Sequence, residues 1–263
     1  MKDIEALINL ARKYCQDNYT YWSDRYVKER TGTEFPYTYS DNDYNLFPRY
    51  NVLAAIQAEV ETLVGQPCTD FASCKKELKE IGLTAQNALT SEEENDTEKK
   101  AIQEEREKFV AFIDTITTDQ LQVVQALPYR RRLKEKEKAP IRAALLKEWN
   151  YEGDYWDPIV ENSPHPVVFI MADNLTDSDY EKIIEFIKVH AKSNLFEVTE
   201  DGSCSEIEFS LFHPNCYETV YFDGSYEWII YGSHESTITF GGVALIKFIA
   251  KLFTERAHLL NKW

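Results

Sequence analysis

The amino-acid sequence predicts an α+β protein, in which a helical N-terminal part is followed by a mostly antiparallel sheet flanked by helices. Two patterns predict this class. In the first half, apolar residues recur every three or four positions, as on one face of a helix. Beyond about residue 166, short apolar or alternating runs are typical of strands. We therefore predict a helical region over 1–118, a basic and aromatic connector over 119–165, and an α+β domain over 166–263.

The helical region begins with a long amphipathic helix, whose apolar stripe runs from Ile4 to Tyr26. Residues 31–47 contain Gly, Pro, Ser, Asp and Asn, and this composition predicts a loop. Asn51 is then expected to cap a second helix that ends at Gly65, because Asn is a preferred N-cap and Gly commonly follows a helix end.

Further helices follow along the chain. A third is predicted over about 70–85, and a fourth begins at the acidic run 91–94, where the helix dipole favours negative charge. Residues 121–127 fit either a short strand or a helix end. A helix over 139–149 accommodates Pro140 in its first turn.

The third part predicts strands around one helix. The continuous apolar run Val167–Met171 is typical of a strand buried on both faces, and Thr176 with Asp179 resembles a capping box at a helix start. Residues 205–211 alternate between apolar and polar side chains, which indicates a half-buried strand. The remaining predicted elements are strands over 217–222, 226–231 and 236–240, a hairpin turn at Asp223-Gly224, and a last helix over 243–260.

Composition bounds the class of protein. The chain has 263 residues, of which 43% are hydrophobic, 28% charged and 13% aromatic. These values exclude a disordered, collagen-like or low-complexity chain. The formal net charge of −16 argues against a protein that coats duplex nucleic acid, because such proteins bind by neutralising phosphates.

Charge is distributed unevenly along the chain. Residues 130–150 contain eight basic and three acidic side chains. Residues 193–246 contain no Lys or Arg, although they contain nine acidic residues: Glu197, Glu200, Asp201, Glu206, Glu208, Glu218, Asp223, Glu227 and Glu235. Paired strands would bring several of these carboxylates within about 8–10 Å of one another, a separation at which salt screens their repulsion only partly.

This acidic stretch allows two interpretations. It is either a surface that docks a basic protein partner or a cation, or a solvated face neutralised within the molecule by residues 130–150. Glu206 and Glu208 are the strongest candidates for partner contacts, because strand alternation turns both outward on one face. The predicted binding set also includes Glu218, Asp223 and Glu227.

The run Arg130-Arg131-Arg132 offers planar, bidentate donors that could hold a phosphate or carboxylate. The alternative interpretation is that these arginines lie at the start of a helix and neutralise the acidic sheet or the acidic fourth helix.

Ser233, His234 and Glu235 lie at a predicted turn and are residue types of nucleophilic and acid–base catalysis. Neighbouring side chains on a strand point to opposite faces, so these groups could instead satisfy the backbone of the turn. Phosphate-binding, dinucleotide and zinc-protease signatures are absent from the sequence. A small hydrolase or nuclease-like enzyme with a site near His234 and Glu235 is therefore the alternative function.

The five cysteines are odd in number and scattered, unlike a secreted disulfide framework. Cys204, His213 and Cys216, with His234 nearby, are possible zinc ligands. Their spacing matches none of the paired zinc motifs, so we predict no metal and no cofactor. The N-terminus carries no apolar signal segment, and no run is long enough to span a bilayer. We therefore expect a cytoplasmic protein with no membrane partner.

Four short fragments resemble a group of uncharacterised bacterial proteins. These are residues 47–51, 127–131, 149–158 and 228–235. The resemblance implies no activity and no catalytic residue. In outline the chain is also similar to bacterial immunity proteins, which implies binding or neutralisation of a basic partner. The leading interpretation is therefore an acidic protein-binding module, and a third interpretation is a subunit whose aromatic N-terminal helices build an oligomer.

Overall fold

A computed structural model describes residues 2–30, 35–36, 38–66, 68–90, 95–157 and 163–262. The chain divides into two compact units, Met1–Leu127 and Pro128–Trp263. The first is helical and the second contains a sheet with helices, which confirms the predicted α+β class. Within the described ranges, no helix combines the length and the hydropathy that crossing a bilayer requires.

The first unit is built from four helices, and one apolar cluster draws side chains from all of them, among them Leu7, Ile56, Leu78 and Phe109. The predicted start of the fourth helix at 91–94 lies outside the described residues; Asn95 caps the part that is described. The helices are α1 (Lys2–Glu29), α2 (Asp41–Glu61), α3 (Phe71–Thr84) and α4 (Asp96–Thr115), and a short 3-10 helix (Asp119–Val123) follows them.

The second helix begins well before its predicted cap. Ser40 is the N-cap: its hydroxyl accepts a hydrogen bond from the backbone N–H of Asp43, and the Asp43 carboxylate accepts one from the backbone N–H of Ser40. This reciprocal pair satisfies two N–H groups at the helix start. The predicted loop over 31–47 was therefore wrong from residue 41 onward, and Asn51 is buried inside the helix.

The second unit is a seven-stranded sheet in the order β1-β4-β3-β5-β6-β7-β2, and every pairing within it is antiparallel. The strands are β1 (Arg130–Arg132), β2 (Val167–Met171), β3 (Leu195–Thr199), β4 (Cys204–Ile207), β5 (Thr219–Asp223), β6 (Ile229–Gly232) and β7 (Thr237–Gly241). The helices are α5 (Glu135–Trp149), α6 (Asp177–His190) and α7 (Val243–Leu252).

Helices cover both faces of this sheet. On one face, Ile183 of α6 and Ile249 of α7 share an apolar cluster with Ile230 of β6. On the other, Trp149 of α5 packs in a second cluster with Ile229. Neighbouring residues of β6 thus point to opposite faces, as strand geometry requires. The sheet is therefore a buried middle layer, and its side chains meet solvent mainly at its edges and ends.

Two strands, β1 and β3, were not predicted from the sequence. Strand β1 lies in the predicted connector 119–165. The boundary between the two units, at Leu127 and Pro128, falls inside that connector, so β1 and α5 belong to the second unit. The predicted strand 205–211 is shorter than expected, because the chain turns into a 3-10 helix at Phe209–Leu211. The last helix likewise ends at Leu252, before a further 3-10 helix (Thr254–Leu259). Strands β2, β5, β6 and β7 overlap their predicted positions, and the Thr176 capping box is confirmed.

Gly232, the last residue of β6, lies directly against the backbone of Cys216. A Cβ atom at this position would lie 2.0 Å from the carbonyl oxygen of Cys216. We expect Gly232→Ala to lower the free energy of unfolding by about 1–3 kcal/mol or more, because the backbone at 216 has to move away. Urea unfolding followed by tryptophan fluorescence measures this change.

Gly224→Ala is the matched control, since its Cβ would meet only the Ser193 side chain, whose hydroxyl at 3.1 Å can rotate away. Equal stability of Gly232→Ala and the wild-type protein would contradict the close approach.

Candidate functional site

The basic strand β1 neutralises part of the acidic stretch. Strand β1 is paired with β4 so that Arg131 lies opposite Glu206, and their guanidinium and carboxylate groups are 3.2 Å apart. Arg130 forms an ion pair with Glu197, a buried residue of β3. The hydroxyl of Tyr221 donates to the same carboxylate over 3.0 Å. Two carboxylates of the acidic stretch are thus paired inside the unit.

Glu206 and Glu208, the predicted partner contacts, are both bound by residues of their own unit. Glu206 also accepts hydrogen bonds from the Asn194 amide (2.6 Å) and the Tyr129 hydroxyl (3.0 Å). Burial opposes ionisation of Glu206, but these hydrogen bonds and Arg131 hold the pKa of its carboxyl below the usual range. Glu208 accepts a hydrogen bond from the backbone N–H of Tyr129 (2.7 Å).

The three arginines considered as an anion site are likewise engaged. Besides Glu206, Arg131 binds Glu137 at 2.6 Å, and Arg132 donates to the hydroxyl of Ser203 over 2.8 Å. With the Arg130–Glu197 pair, these contacts favour the interpretation in which the basic segment answers the acidic sheet.

Two further acids of the predicted binding set have internal partners. Asp223 is fully buried and accepts hydrogen bonds from the backbone N–H groups of Lys192 (2.7 Å) and Ser225 (2.9 Å). Glu227 forms an ion pair with the Lys192 ammonium at 2.5 Å. Glu218 differs from the other four acids proposed for partner binding. Among the described contacts its carboxylate has no Lys, Arg or backbone N–H partner, and it lies beside His234.

Glu218 belongs to a group at one end of the sheet, where β3 ends, β5 begins and β6 turns into β7. We call it the sheet-end cluster; its members are Glu200, Glu218, His234, Glu235, Tyr155 and Tyr231. Ligand atoms of Glu200, Glu218 and His234 lie within 4.8 Å of one another, and His234 Nδ1 is 3.8 Å from a Glu218 oxygen. The backbone N–H of Glu200 donates to the carbonyl of Glu218 over 3.0 Å, which continues the β3–β5 pairing into the cluster.

Two tyrosines hold carboxylates of the cluster in place. The hydroxyl of Tyr231 donates to Glu200 over 2.6 Å, and that of Tyr155 donates to Glu235 over 3.0 Å. The Tyr155 ring also lies 5.1 Å from the His234 ring. Burial and the Glu235 hydrogen bond raise the pKa of Tyr155 to about 12, and burial and Glu200 raise the pKa of Tyr231 well above its usual range. Both hydroxyls therefore remain protonated donors.

Buried donors without a protein partner lie beside the cluster. The Tyr151 hydroxyl and the Trp156 indole N–H have no hydrogen-bond partner among the described residues, and both side chains are only 2% exposed. Burial and then the nearby Glu200 carboxylate raise the pKa of Tyr151. The Trp156 ring packs edge-on against Tyr231 at 5.8 Å. Because an unpaired buried polar group is costly, these donors mark a place where a polar ligand would be stabilised.

The catalytic candidates Ser233, His234 and Glu235 do not converge. Ser233 is 3% exposed; its hydroxyl lies 2.8 Å from that of Thr237 and accepts the backbone N–H of Glu235 over 3.2 Å. It therefore supports the turn. His234 and Glu235 are exposed and both meet Tyr155. Sequence reasoning missed Glu200, Tyr155 and Tyr231 as members of this group, because only strand pairing brings them to His234.

The cysteine-based zinc set is not assembled. Cys204 is buried in the core beneath α5, and the Cys216 thiol lies 3.5 Å from the carbonyl of Thr219. His213 Nδ1 accepts the backbone N–H of Asn215 over 3.1 Å. Within the described part of the chain, Glu200, Glu218 and His234 are the group that brings three possible ligand atoms together.

Glu206→Gln tests the internal pairing through its pH dependence. The folded-state pKa of Glu206 is lowered, so ionisation stabilises the fold above the unfolded pKa of about 4.3, and this stabilisation is lost as the pH falls through the folded value. We expect the variant to be about 1–3 kcal/mol less stable at pH 7 and the difference to shrink below about pH 4. Urea unfolding across this pH range measures both effects.

Glu181→Gln on α6 removes an equally acidic but exposed side chain and serves as the control. A difference at pH 7 no larger than that of the control would show that Glu206 is solvated.

The comparisons with known proteins do not indicate a function for the chain. No protein family, curated protein or solved structure matches the chain. Fold class does not by itself imply an activity. Function is therefore inferred from the sheet-end cluster itself.

Proposed function

We propose that the protein is an acidic binding module that docks a basic segment of a partner protein at the sheet-end cluster. The observation that supports this proposal most strongly is that some acids of the acidic stretch are ion-paired and others are not. Glu197, Glu206 and Glu227 form ion pairs with Arg or Lys, whereas Glu200, Glu218 and Glu235 form none among the described residues. The proposed docking surface thus moves from Glu206 and Glu208 to the end of the sheet.

The chemistry of this surface suits Arg and Lys side chains. Carboxylates accept bidentate hydrogen bonds from a guanidinium group, and tyrosine rings attract cations to their faces. Tyr155 and Tyr217 are both exposed here, and Tyr155 also bonds Glu235. Exposed tyrosines give large contact area for little loss of side-chain entropy. A protein segment rich in Arg or Lys is therefore the class of partner that we propose, in a role of the immunity or defence type.

The alternative, a hydrolase or nuclease-like site, has less support from the geometry. Its proposed nucleophile Ser233 is buried and hydrogen-bonded to its own turn. His234 and Glu235 each face Tyr155 and are exposed. A general base acts when it lies within hydrogen-bond reach of the proton that it removes, and no hydroxyl or thiol nucleophile of the described residues meets that condition at His234.

Binding of a fluorescein-labelled oligoarginine peptide to the full chain tests the proposal. We expect Glu200→Gln combined with Glu235→Gln to weaken binding about 10-fold, equivalent to roughly 1.4 kcal/mol, because both remove carboxylates of the surface. Fluorescence anisotropy measures the affinity, which should fall as the salt concentration rises.

The matched control combines Glu181→Gln with Glu185→Gln, which removes the same net charge from exposed positions of α6. Binding should be nearly unchanged in this variant. Equal weakening in both double variants would show a non-specific response to net charge and contradict docking at the cluster.

A further inference from the structure

We infer that Glu200, Glu218 and His234 bind one divalent transition-metal ion of the zinc class. This inference goes beyond protein docking, because the ligand is an inorganic cation and one donor is an imidazole nitrogen. The three side chains come from the end of β3, the start of β5 and the turn after β6. Their ligand atoms already lie within 4.8 Å of one another.

The spacing of the donors is close to what an ion requires. Bonds of about 2.0–2.2 Å place the ligands of a tetrahedral zinc ion roughly 3.4 Å apart. His234 Nδ1 and the nearest Glu218 oxygen are 3.8 Å apart. The His234 side chain is 43% exposed and that of Glu218 is 40% exposed, so both have room to rotate. Since all three donor atoms lie within 4.8 Å of one another, a closure of at most about 1.4 Å brings each pair to the tetrahedral spacing.

The donor types select the class of metal. Mg²⁺ and Ca²⁺ prefer ligand sets made of oxygen. An imidazole with two carboxylates suits zinc and other first-row transition metals. Three protein ligands also leave at least one coordination position for water or an exogenous anion, as in open zinc sites.

A buried tyrosine supports the first ligand from behind. Tyr231 is 1% exposed, and its hydroxyl donates to one oxygen of Glu200 over 2.6 Å. An oxygen of the same carboxylate belongs to the three-donor group. Hydrogen bonds of this kind orient metal ligands and commonly change affinity by about 10- to 100-fold when they are removed.

The unpartnered Tyr151 hydroxyl is an independent observation that points to a ligand. It is nine-tenths buried or more and has no hydrogen-bond partner in the described part of the chain. The Tyr151 ring packs against Trp156 at 6.1 Å, and Trp156 packs against Tyr231, the tyrosine that binds Glu200. A further ligand of the bound ion that reached this hydroxyl would satisfy it.

Zinc titration of the full chain tests the inference, with a chromophoric chelator as competitor and Zn²⁺ as the probe. We expect one Zn²⁺ per chain. His234→Ala and Glu218→Gln should each weaken binding by at least about 10-fold, because each removes a ligand. Tyr231→Phe should weaken binding while it leaves all three ligands in place. Mg²⁺ should not displace the ion.

Two matched controls separate this site from adventitious zinc. His258→Ala removes an exposed histidine elsewhere in the unit, and Cys204→Ser with Cys216→Ser removes the two thiols of this unit. Both should leave zinc affinity within about 2-fold of the wild type. Absence of one-to-one binding would overturn the inference, as would equal loss in His258→Ala or loss on thiol removal.

The zinc site and the docking surface can fail separately. Glu235→Gln should weaken the peptide and spare zinc, because Glu235 is not among the three ligands. His234→Ala should weaken zinc and spare the peptide, because an imidazole lone pair contributes little to holding an ammonium or guanidinium group. Zinc binding that responded to Glu235→Gln as strongly as to His234→Ala would contradict the assignment of ligands.

Discussion

The pairing of strand β1 with the acids of β3 and β4 is the interaction on which the second unit depends. Glu197 is buried, and a buried carboxylate is costly unless a cation and hydrogen bonds compensate it. Arg130 and Tyr221 provide that compensation, and Arg131 does the same for Glu206. Strand β1 is also an edge of the sheet, and a charged edge discourages pairing with other chains. One short strand thus neutralises two carboxylates of the sheet and forms one of its edges.

Glu200, Glu218 and Glu235 form no ion pair with Lys or Arg among the described residues, and they share one end of the sheet. Glu200 and Glu218 flank paired strands, and their carboxylates meet His234 and tyrosine hydroxyls. Carboxylates so placed repel one another, which lowers stability unless a cation is bound. Arg or Lys of the proposed partner, or the proposed divalent ion, would each provide that cation. The two kinds of cation would compete for Glu200 and Glu218. Substitutions distinguish them, because Glu235→Gln should affect the peptide alone and His234→Ala should affect zinc alone.

The sequence reveals those parts of the fold that depend on local periodicity. The apolar stripe of α1 and the capping box at Thr176 could be predicted, because each depends on residues that are close together in the sequence. Strand β1 could not be predicted, because three consecutive arginines show no strand periodicity and their pairing partner β4 is distant in the sequence. Glu206 was correctly placed in a strand, but its partners Tyr129 and Arg131 are distant in sequence. The same limit hid Glu200 and Tyr155, since strand order alone brings them to His234.

A double-mutant cycle on Arg130 and Glu197 tests the central claim most directly, namely that the molecule neutralises its own acidic sheet at β1. Unfolding free energies of Arg130→Met, Glu197→Gln and the double variant give the coupling between the two side chains. We expect a favourable coupling of about 1.5 kcal/mol or more, because the pair is hydrogen-bonded and Glu197 is buried. A coupling within about 0.3 kcal/mol of zero would contradict it, since that is the range of independent or fully solvated residues.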